Sequence, residues 1–164
     1  MRKIISLIIA VVIAHLASVT FADSNVTVVD GDSLEIGNKR IRLLGIDAPE
    51  YTQQCEDENR QTYDCGQEAK EILQKIIKEG EQKGFKLKCA PQGKDRYNRE
   101  LSVCSVGEKI LNLEMVKEGY AVSYKDERYQ KLEKHAKKAK KGIWRGKFMR
   151  PEIYRAIKRR QKKS

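Results

Sequence analysis

Histidine is nearly absent from this sequence, with 2 in 164 residues. Zinc hydrolases, histidine phosphotransfer and Ser-His-Asp or Cys-His catalysis each need one or more placed imidazoles. His15 lies in the apolar N-terminal segment, and His135 lies in a lysine-rich stretch where a solvated side chain is expected. The scarcity therefore argues against all of these mechanisms.

The sequence also lacks a C-x-x-C pair and any internal repeat. The missing pair argues against zinc and thioredoxin-like sites. What is present is a strong basic excess, 34 Lys and Arg against 23 Asp and Glu, for a net charge of +11. With 40% apolar and 35% charged residues, the composition favours a single globular domain over a collagen-like or wholly disordered chain.

The N-terminus is typical of a secretory signal peptide. Arg2 and Lys3 precede the apolar run Ile4–Val19, and Ala22 is a suitable residue for cleavage. We expect residues 1–22 to be removed and the mature chain to be exported, periplasmic or secreted, with no stable membrane anchor. A retained anchor is the alternative, although a spanning helix usually needs about 20 apolar residues.

The four cysteines are expected to pair if the protein is exported, because thiols oxidise outside the cytosol. Three connectivities are possible. Cys55 and Cys65 flank one polar loop, whereas Cys89 and Cys104 lie on two predicted strands joined by a turn-rich connection. These positions favour Cys55–Cys65 and Cys89–Cys104, with free buried thiols as the alternative.

The hydrophobic pattern predicts short strands and amphipathic helices. The predicted strands cover residues 25–29, 33–36, 40–44, 85–89 and 101–106. Helices are predicted over residues 69–80, 110–118 and 129–141, with Gly80 as a stop signal and a further short basic helix over 151–160. This order favours an α+β fold, mainly a β barrel with helices. An OB-fold five-stranded barrel with about three helices is the expected architecture.

Three polar clusters interrupt the apolar pattern at strand ends and turns, where functional groups are often displayed. They are Asp30–Ser33, Arg42–Glu50 and Asp95–Arg99. Together they offer carboxylates for a hard cation and guanidinium groups that can bind a phosphate bidentately. Taken singly, each could instead be a hairpin turn or a surface ion pair.

Together with Gly142–Trp144, these clusters make the chain resemble the staphylococcal nuclease (thermonuclease) family. The resemblance covers most of residues 25–145. It implies an OB-fold nuclease that cleaves the phosphodiester bonds of DNA and RNA, depends on Ca²⁺, and leaves 3′-phosphate products. It further implies that Asp32 and Asp47 bind the metal. Ala48 would contribute its backbone carbonyl, and Asp30 would be a nearby carboxylate.

The resemblance also assigns catalytic roles to Arg42, Glu50 and Arg99. Glu50 would orient or deprotonate the attacking water, and the two arginines would hold phosphate oxygens. Substrate contacts are expected at Arg96, Tyr97 and Tyr124. Arg96 replaces a more usual lysine, and Asn98 replaces a frequent glycine whose positive φ asparagine also tolerates.

The domain prediction is a nuclease domain over residues 23–145, followed by a basic tail, residues 146–164, that is partly helical. Residues 134–164 hold 14 Lys and Arg and one acid, whereas residues 23–133 carry a net charge of −4. The basic excess is therefore interpreted as a handle that attracts nucleic acid to a monomeric enzyme. The alternatives are a non-catalytic OB-fold protein that binds nucleic acid or another polyanion, and a heparin-type ligand binder that uses only its tail.

Overall fold

The computed structural model describes residues 26–163. The expected signal peptide, residues 1–22, and the first residue of the first predicted strand, Asn25, lie outside these residues. None of the described helices is both long enough and apolar enough to cross a membrane.

The described strands are short, as the sequence predicts. They are β1 (Val26–Asp30), β2 (Ser33–Ile36), β3 (Lys39–Leu43), β4 (Ile46–Asp47), β5 (Cys55–Glu56), β6 (Thr62–Tyr63), β7 (Leu87–Lys94), β8 (Glu100–Val106), β9 (Lys109–Ile110) and β10 (Val122–Ser123). The α-helices are α1 (Cys65–Gln82), α2 (Leu111–Lys117), α3 (Gln130–Lys138) and α4 (Pro151–Gln161). Single 3₁₀ turns occur at Glu127–Tyr129 and Gly142–Arg145.

The main sheet has the strand order β1-β2-β3-β8-β7, with β9 paired to β8. Its pairs are antiparallel except for β3 and β8, which run parallel. The sheet curls into a half-barrel, and α1 packs against β1, β7 and β8. This architecture confirms the predicted α+β class.

Helix α1 differs from its prediction at both ends. It begins at Cys65, and it continues through Gly80 to Gln82. Gly80 is buried, and a Cβ there would lie 2.2 Å from a methyl carbon of Val106. The prediction that the helix stops at Gly80 is therefore wrong. This glycine lies within α1 and permits the close approach of the helix to β8.

Strand β7 also exceeds its predicted limit, since it continues past Cys89 to Lys94. Pro91 lies within it, and the register shifts between Pro91 and Gly93. Proline is tolerated in a sheet at edge strands and bulges, and β7 is an edge strand. The connection to β8 is consequently the short turn around Asp95–Asn98.

Two groups of buried residues stabilise the fold. The larger one lies between the sheet and helices α1 and α2 and includes Leu34, Leu73 and Met115. The smaller one joins the Cys55–Cys65 disulfide to Val122 and Ile143. The second disulfide links Cys89 to Cys104, which face each other across β7 and β8. Both expected cysteine pairs are thus joined in the structure.

Candidate active site

The turn between β1 and β2 aims two acidic side chains toward the same end of the sheet. Gly31 allows this turn to pack tightly, since a Cβ at Gly31 would lie 2.7 Å from Ala48 Cβ and 2.8 Å from Ala69 Cβ. The close packing brings Asp32 to the segment after β4, where its Oδ2 accepts a hydrogen bond of 2.9 Å from the Ala48 amide. The backbone amide of Asp32 donates to Asp30 Oδ1 at 3.2 Å.

Arg42, on β3, joins the carboxylates of Asp32 and Asp47. Its Nη1 donates to Asp32 Oδ1, and its Nη2 donates to Asp47 Oδ1 at 2.7 Å. Both aspartates are almost completely buried, with 1% and 0% of their surface exposed. Buried charges require paired partners of this kind, because desolvation of an isolated ion is costly.

The pKa values of this cluster reflect its excess of negative charge. Burial alone would lower the pKa of Arg42, but the charges of Asp32 and Asp47 outweigh burial and raise it above its ordinary value. For Asp30, burial and the neighbouring charge of Asp32 raise the pKa to about 7. Four carboxylates, those of Asp30, Asp32, Asp47 and Glu50, are therefore grouped at one end of the sheet.

Glu50 lies on the loop between β4 and β5, held against the start of α1. Gly66 makes this possible, since a Cβ there would lie 1.7 Å from the Glu50 carbonyl oxygen. The Gln53 amide donates to that same oxygen at 2.7 Å, and the Gly66 amide donates to the Gln53 carbonyl at 3.2 Å. The side chain of Gln53, fully buried, donates to the Met149 carbonyl at 2.6 Å. The loop is thereby fixed to both α1 and the C-terminal segment.

Arg99 reaches the same region from the turn between β7 and β8. Its Nε donates to Asp95 Oδ2 at 2.8 Å, and its Nη1 lies 3.4 Å from Ser33 Oγ. Asp95 Oδ1 also accepts hydrogen bonds from the backbone amides of Tyr97 and Arg99, at 2.8 and 3.0 Å. Asn98 has a φ of 61°, the positive value expected for it.

A cleft of about 810 Å³ brings the predicted functional side chains together. Arg42, Glu50 and Arg99 all line it, as do Asp30 and the expected substrate residues Arg96, Tyr97 and Tyr124. Asp32, Asp47 and Ala48 are buried behind Arg42 and are not among the lining residues. The turn residues Arg96 and Tyr97 are exposed and stack, with the guanidinium carbon 4.8 Å from the ring centre.

The structure adds a site residue that the sequence analysis missed, Arg155 of α4. Its Nη1 donates to Asp47 Oδ1 at 2.8 Å and to Glu50 Oε1 at 2.7 Å, and its Nη2 donates to Asp47 Oδ2 at 2.9 Å. Burial would lower the pKa of Arg155, but the hydrogen bonds to Asp47 and Glu50 raise it above its ordinary value. The sequence predicts only a handle for nucleic acid in the basic tail, whereas in the structure its helix contacts the candidate site directly.

The donor chemistry of the cluster suits a hard cation, because carboxylate and carbonyl oxygens are the ligands that Ca²⁺ prefers. Charge points the same way, since two arginines, Arg42 and Arg155, form the ion pairs of these four carboxylates among residues 26–163. In the arrangement described for residues 26–163, however, no three acidic, histidine or cysteine side chains converge as a metal-binding group. The guanidinium groups occupy the carboxylate oxygens instead.

Comparison with known proteins identifies the family. A family profile described as staphylococcal nuclease homologue matches residues 40–146. The chain belongs to the staphylococcal nuclease family. The matched range contains Arg42, Asp47, Glu50 and Arg99, whereas Arg155 lies beyond it.

Individual relatives support the same family. The chain is 37% identical over 128 residues to an uncharacterized endonuclease of Haemophilus influenzae, and 31% identical over 130 residues to the thermonuclease of Staphylococcus hyicus. It is 32% identical over 123 residues to the succinoglycan biosynthesis protein ExoI of Rhizobium meliloti. Each match covers 73% of this chain. The matched segment spans 64% of the length of the Haemophilus protein, 73% of the Staphylococcus protein and 62% of the Rhizobium protein.

Proposed function

We propose that this staphylococcal nuclease family member is an exported, Ca²⁺-dependent endonuclease that hydrolyses phosphodiester bonds in DNA and RNA and leaves 3′-phosphates. One observation carries the proposal: Arg42, Glu50 and Arg99, from three separate segments, line a single cleft above two buried aspartates. The relatives named endonuclease and thermonuclease support the same class of reaction.

The proposed roles follow from the chemistry of phosphodiester hydrolysis. The reaction needs a water in line with the leaving 5′-oxygen and cationic groups around a phosphate that gains negative charge. Of the carboxylates that line the cleft, Glu50 is the one to which we assign the orientation or deprotonation of this water. Arg42 and Arg99 supply guanidinium donors for the phosphate oxygens. Ca²⁺ bound by Asp32, Asp47 and the Ala48 carbonyl would supply further stabilisation of charge as a Lewis acid.

The exposed residues of the cleft and tail would bind the rest of the nucleic acid. Tyr97 is 53% exposed beside Arg96, an arrangement on which a base can stack, and Tyr124 lines the same cleft. The lysines and arginines of residues 134–164 would attract the polyanion through salt-sensitive contacts. A mature domain beginning near residue 23, with two disulfides, is consistent with an exported enzyme.

The test is to incubate the purified mature protein with DNA and with RNA, in millimolar Ca²⁺ and in excess chelator, and to analyse the product end groups. We expect cleavage of both polymers in Ca²⁺, loss of cleavage in chelator, and 3′-phosphate ends. Intact substrates in Ca²⁺ would favour the non-catalytic binding protein, and equal cleavage in chelator would remove the Ca²⁺ dependence.

The Glu50→Gln variant tests the role of the carboxylate in the same assay. We expect kcat to fall by about 10²- to 10⁴-fold, the usual contribution of a positioned general base, with little change in nucleic-acid binding. Glu56→Gln is a matched control on β5, the strand that follows this loop, since Glu56 is partly buried and lies outside the cleft lining. An unchanged rate for Glu50→Gln would exclude Glu50 from the mechanism.

A further inference from the structure

Arg155 occupies the oxygens that a metal ion would need. It donates to both carboxylate oxygens of Asp47, and Arg42 donates to Oδ1 as well. On Asp32, Oδ1 accepts from Arg42 and from Ser33 Oγ, while Oδ2 accepts from the Ala48 amide. Every carboxylate oxygen of Asp32 and Asp47 is therefore engaged by a donor.

A divalent cation and a guanidinium group compete for such oxygens in two ways. They use the same lone pairs, and their positive charges repel at the short distance that a shared carboxylate imposes. Binding of a cation to Asp47 therefore has to weaken at least one of the arginine contacts. The two arginines differ in how firmly each is held.

Arg42 is the less displaceable of the two. It belongs to a strand in the middle of the sheet, and its side chain is 13% exposed. Arg155 is 28% exposed and belongs to α4, in which Pro151 is the one buried residue. Besides Arg155, α4 is tied to the Glu50 loop through Tyr154, whose hydroxyl donates to the Thr52 carbonyl at 3.1 Å. Elements with few buried contacts open at low free-energy cost.

We propose that Arg155 is an intramolecular competitor for the cation site, so that Ca²⁺ binding displaces it from Asp47 and loosens α4 from the Glu50 loop. The inference rests on the proposed function only in assigning the cation to Asp32 and Asp47. In the cation-free protein, Arg155 compensates the charges of Asp47 and Glu50. The tail helix thereby covers the site until the cation replaces its guanidinium group.

Calorimetric Ca²⁺ titration of the full mature chain, without nucleic acid, tests the competition directly. We expect Arg155→Gln to bind Ca²⁺ about tenfold more tightly than the unmodified protein, within the 5- to 150-fold range typical of coupling between sites. Arg159→Gln is the matched control, because Arg159 lines the same cleft one helical turn later and makes no described bond to Asp47 or Glu50. It removes the same charge, and we expect its Ca²⁺ affinity to stay within twofold of the unmodified value.

The coupling must also operate in reverse, because linkage between two binding equilibria is reciprocal. Ca²⁺ should therefore speed amide hydrogen exchange in α4 of the unmodified protein and of Arg159→Gln, while leaving exchange in α3 unchanged. In Arg155→Gln, exchange in α4 should already be fast and should not respond to Ca²⁺. Slow exchange in α3 of the variant shows that the rest of the domain remains folded.

The proposal is overturned if Arg155→Gln binds Ca²⁺ no more tightly than Arg159→Gln, if α4 exchange in the unmodified protein ignores Ca²⁺, or if no variant binds Ca²⁺. Failure of the proposed function is a separate result. If Ca²⁺ displaces Arg155 but DNA and RNA remain intact, the competition is supported and the nuclease function is contradicted. If DNA and RNA are cleaved but Ca²⁺ does not displace Arg155, the nuclease function is supported and the competition is contradicted.

Discussion

The two arginines contributed by the sheet end of the site are held in opposite ways. Arg42 bonds Asp32 and Asp47, which are 10 and 5 residues away and almost fully buried. Arg99 bonds Asp95, four residues away in its own turn, and both side chains are partly exposed. We call the first arrangement the buried pair set and the second the turn pair.

Under the proposed function, this difference separates an arginine that stabilises the fold from an arginine that contacts the substrate. A buried ion-pair network cannot lose one partner without leaving an uncompensated charge in the interior, whereas a partly exposed pair contributes little to stability. The turn pair can therefore release its guanidinium to a phosphate at low cost. The buried pair set serves both to hold the fold and to shape the site.

The largest expected effect comes from breaking the buried pair set with Arg42→Met. Loss of the guanidinium leaves the Asp32 and Asp47 carboxylates without their sheet partner, so we expect unfolding free energy to fall by about 3–5 kcal/mol, with loss of nuclease activity. Urea denaturation in chelator measures this. Arg40→Met, on the same strand with an exposed side chain, is the control and should cost no more than about 1 kcal/mol. Equal effects of the two substitutions would contradict the comparison.

Arg99→Ala should affect the reaction and spare the fold. We expect kcat/KM to fall by about 10²- to 10³-fold, the cost of removing one positioned donor, while unfolding free energy changes by no more than about 1 kcal/mol. Steady-state cleavage and urea denaturation of the same preparation check both values. Arg99→Lys should recover only part of the activity, because lysine cannot bind a phosphate bidentately. A large loss of unfolding free energy in Arg99→Ala would contradict the comparison, because Arg99 would then stabilise the fold as Arg42 does.

Gly31→Ala tests how the buried pair set depends on the turn that carries Asp32. The added Cβ would meet Ala48 and Ala69 at less than 3.0 Å, so the turn that carries Asp32 has to shift. We expect a loss of about 1–3 kcal/mol in unfolding free energy, as for other overpacked sites. Gly37→Ala is the reference, since it has open space around it and a φ of +56° that costs alanine roughly 1–2 kcal/mol. If Gly31→Ala were the milder change, close packing at Gly31 would not matter.

The smallest effect concerns pH and the turn pair. Burial alone would raise the pKa of Asp95, but hydrogen bonds from the Arg99 and Tyr97 amides and the Arg99 side chain lower it below its ordinary value. A lowered folded-state pKa contributes stability above the unfolded-state pKa, near 3.9, and that stability is lost as pH falls through the folded-state value. Asp95→Asn should therefore flatten the acid limb of the stability profile below about pH 4, by at most about 1 kcal/mol. Unfolding measured between pH 2 and pH 6 checks this, and an unchanged limb would contradict it.

Sequence reasoning predicted the residues of the candidate site because its motifs are local. Asp30–Ser33, Arg42–Glu50 and Asp95–Arg99 each keep their functional side chains within a few residues of a strand end, and the fold delivers these ends to one cleft. Short-range patterns also predicted the class of the fold and the cysteine pairs joined in the structure.

What sequence reasoning missed depends on contacts between distant segments. Gly80 has the local signature of a helix stop, but packing against Val106 sets its role. Arg155 belongs to no motif, and its partners Asp47 and Glu50 lie 108 and 105 residues earlier. A basic helix at the end of the chain looks the same in sequence whether it is solvated or docked.

The sequence by itself determined the residue types of the candidate site, their order, the main strands and helices, and a basic tail following a mildly acidic domain. Local preferences and hydrophobic periodicity suffice for these features because they act over a few residues. Only the tertiary structure decided which carboxylate each arginine binds, and that the tail returns to the site. Those pairings depend on burial and on distances across the fold, which no local pattern encodes.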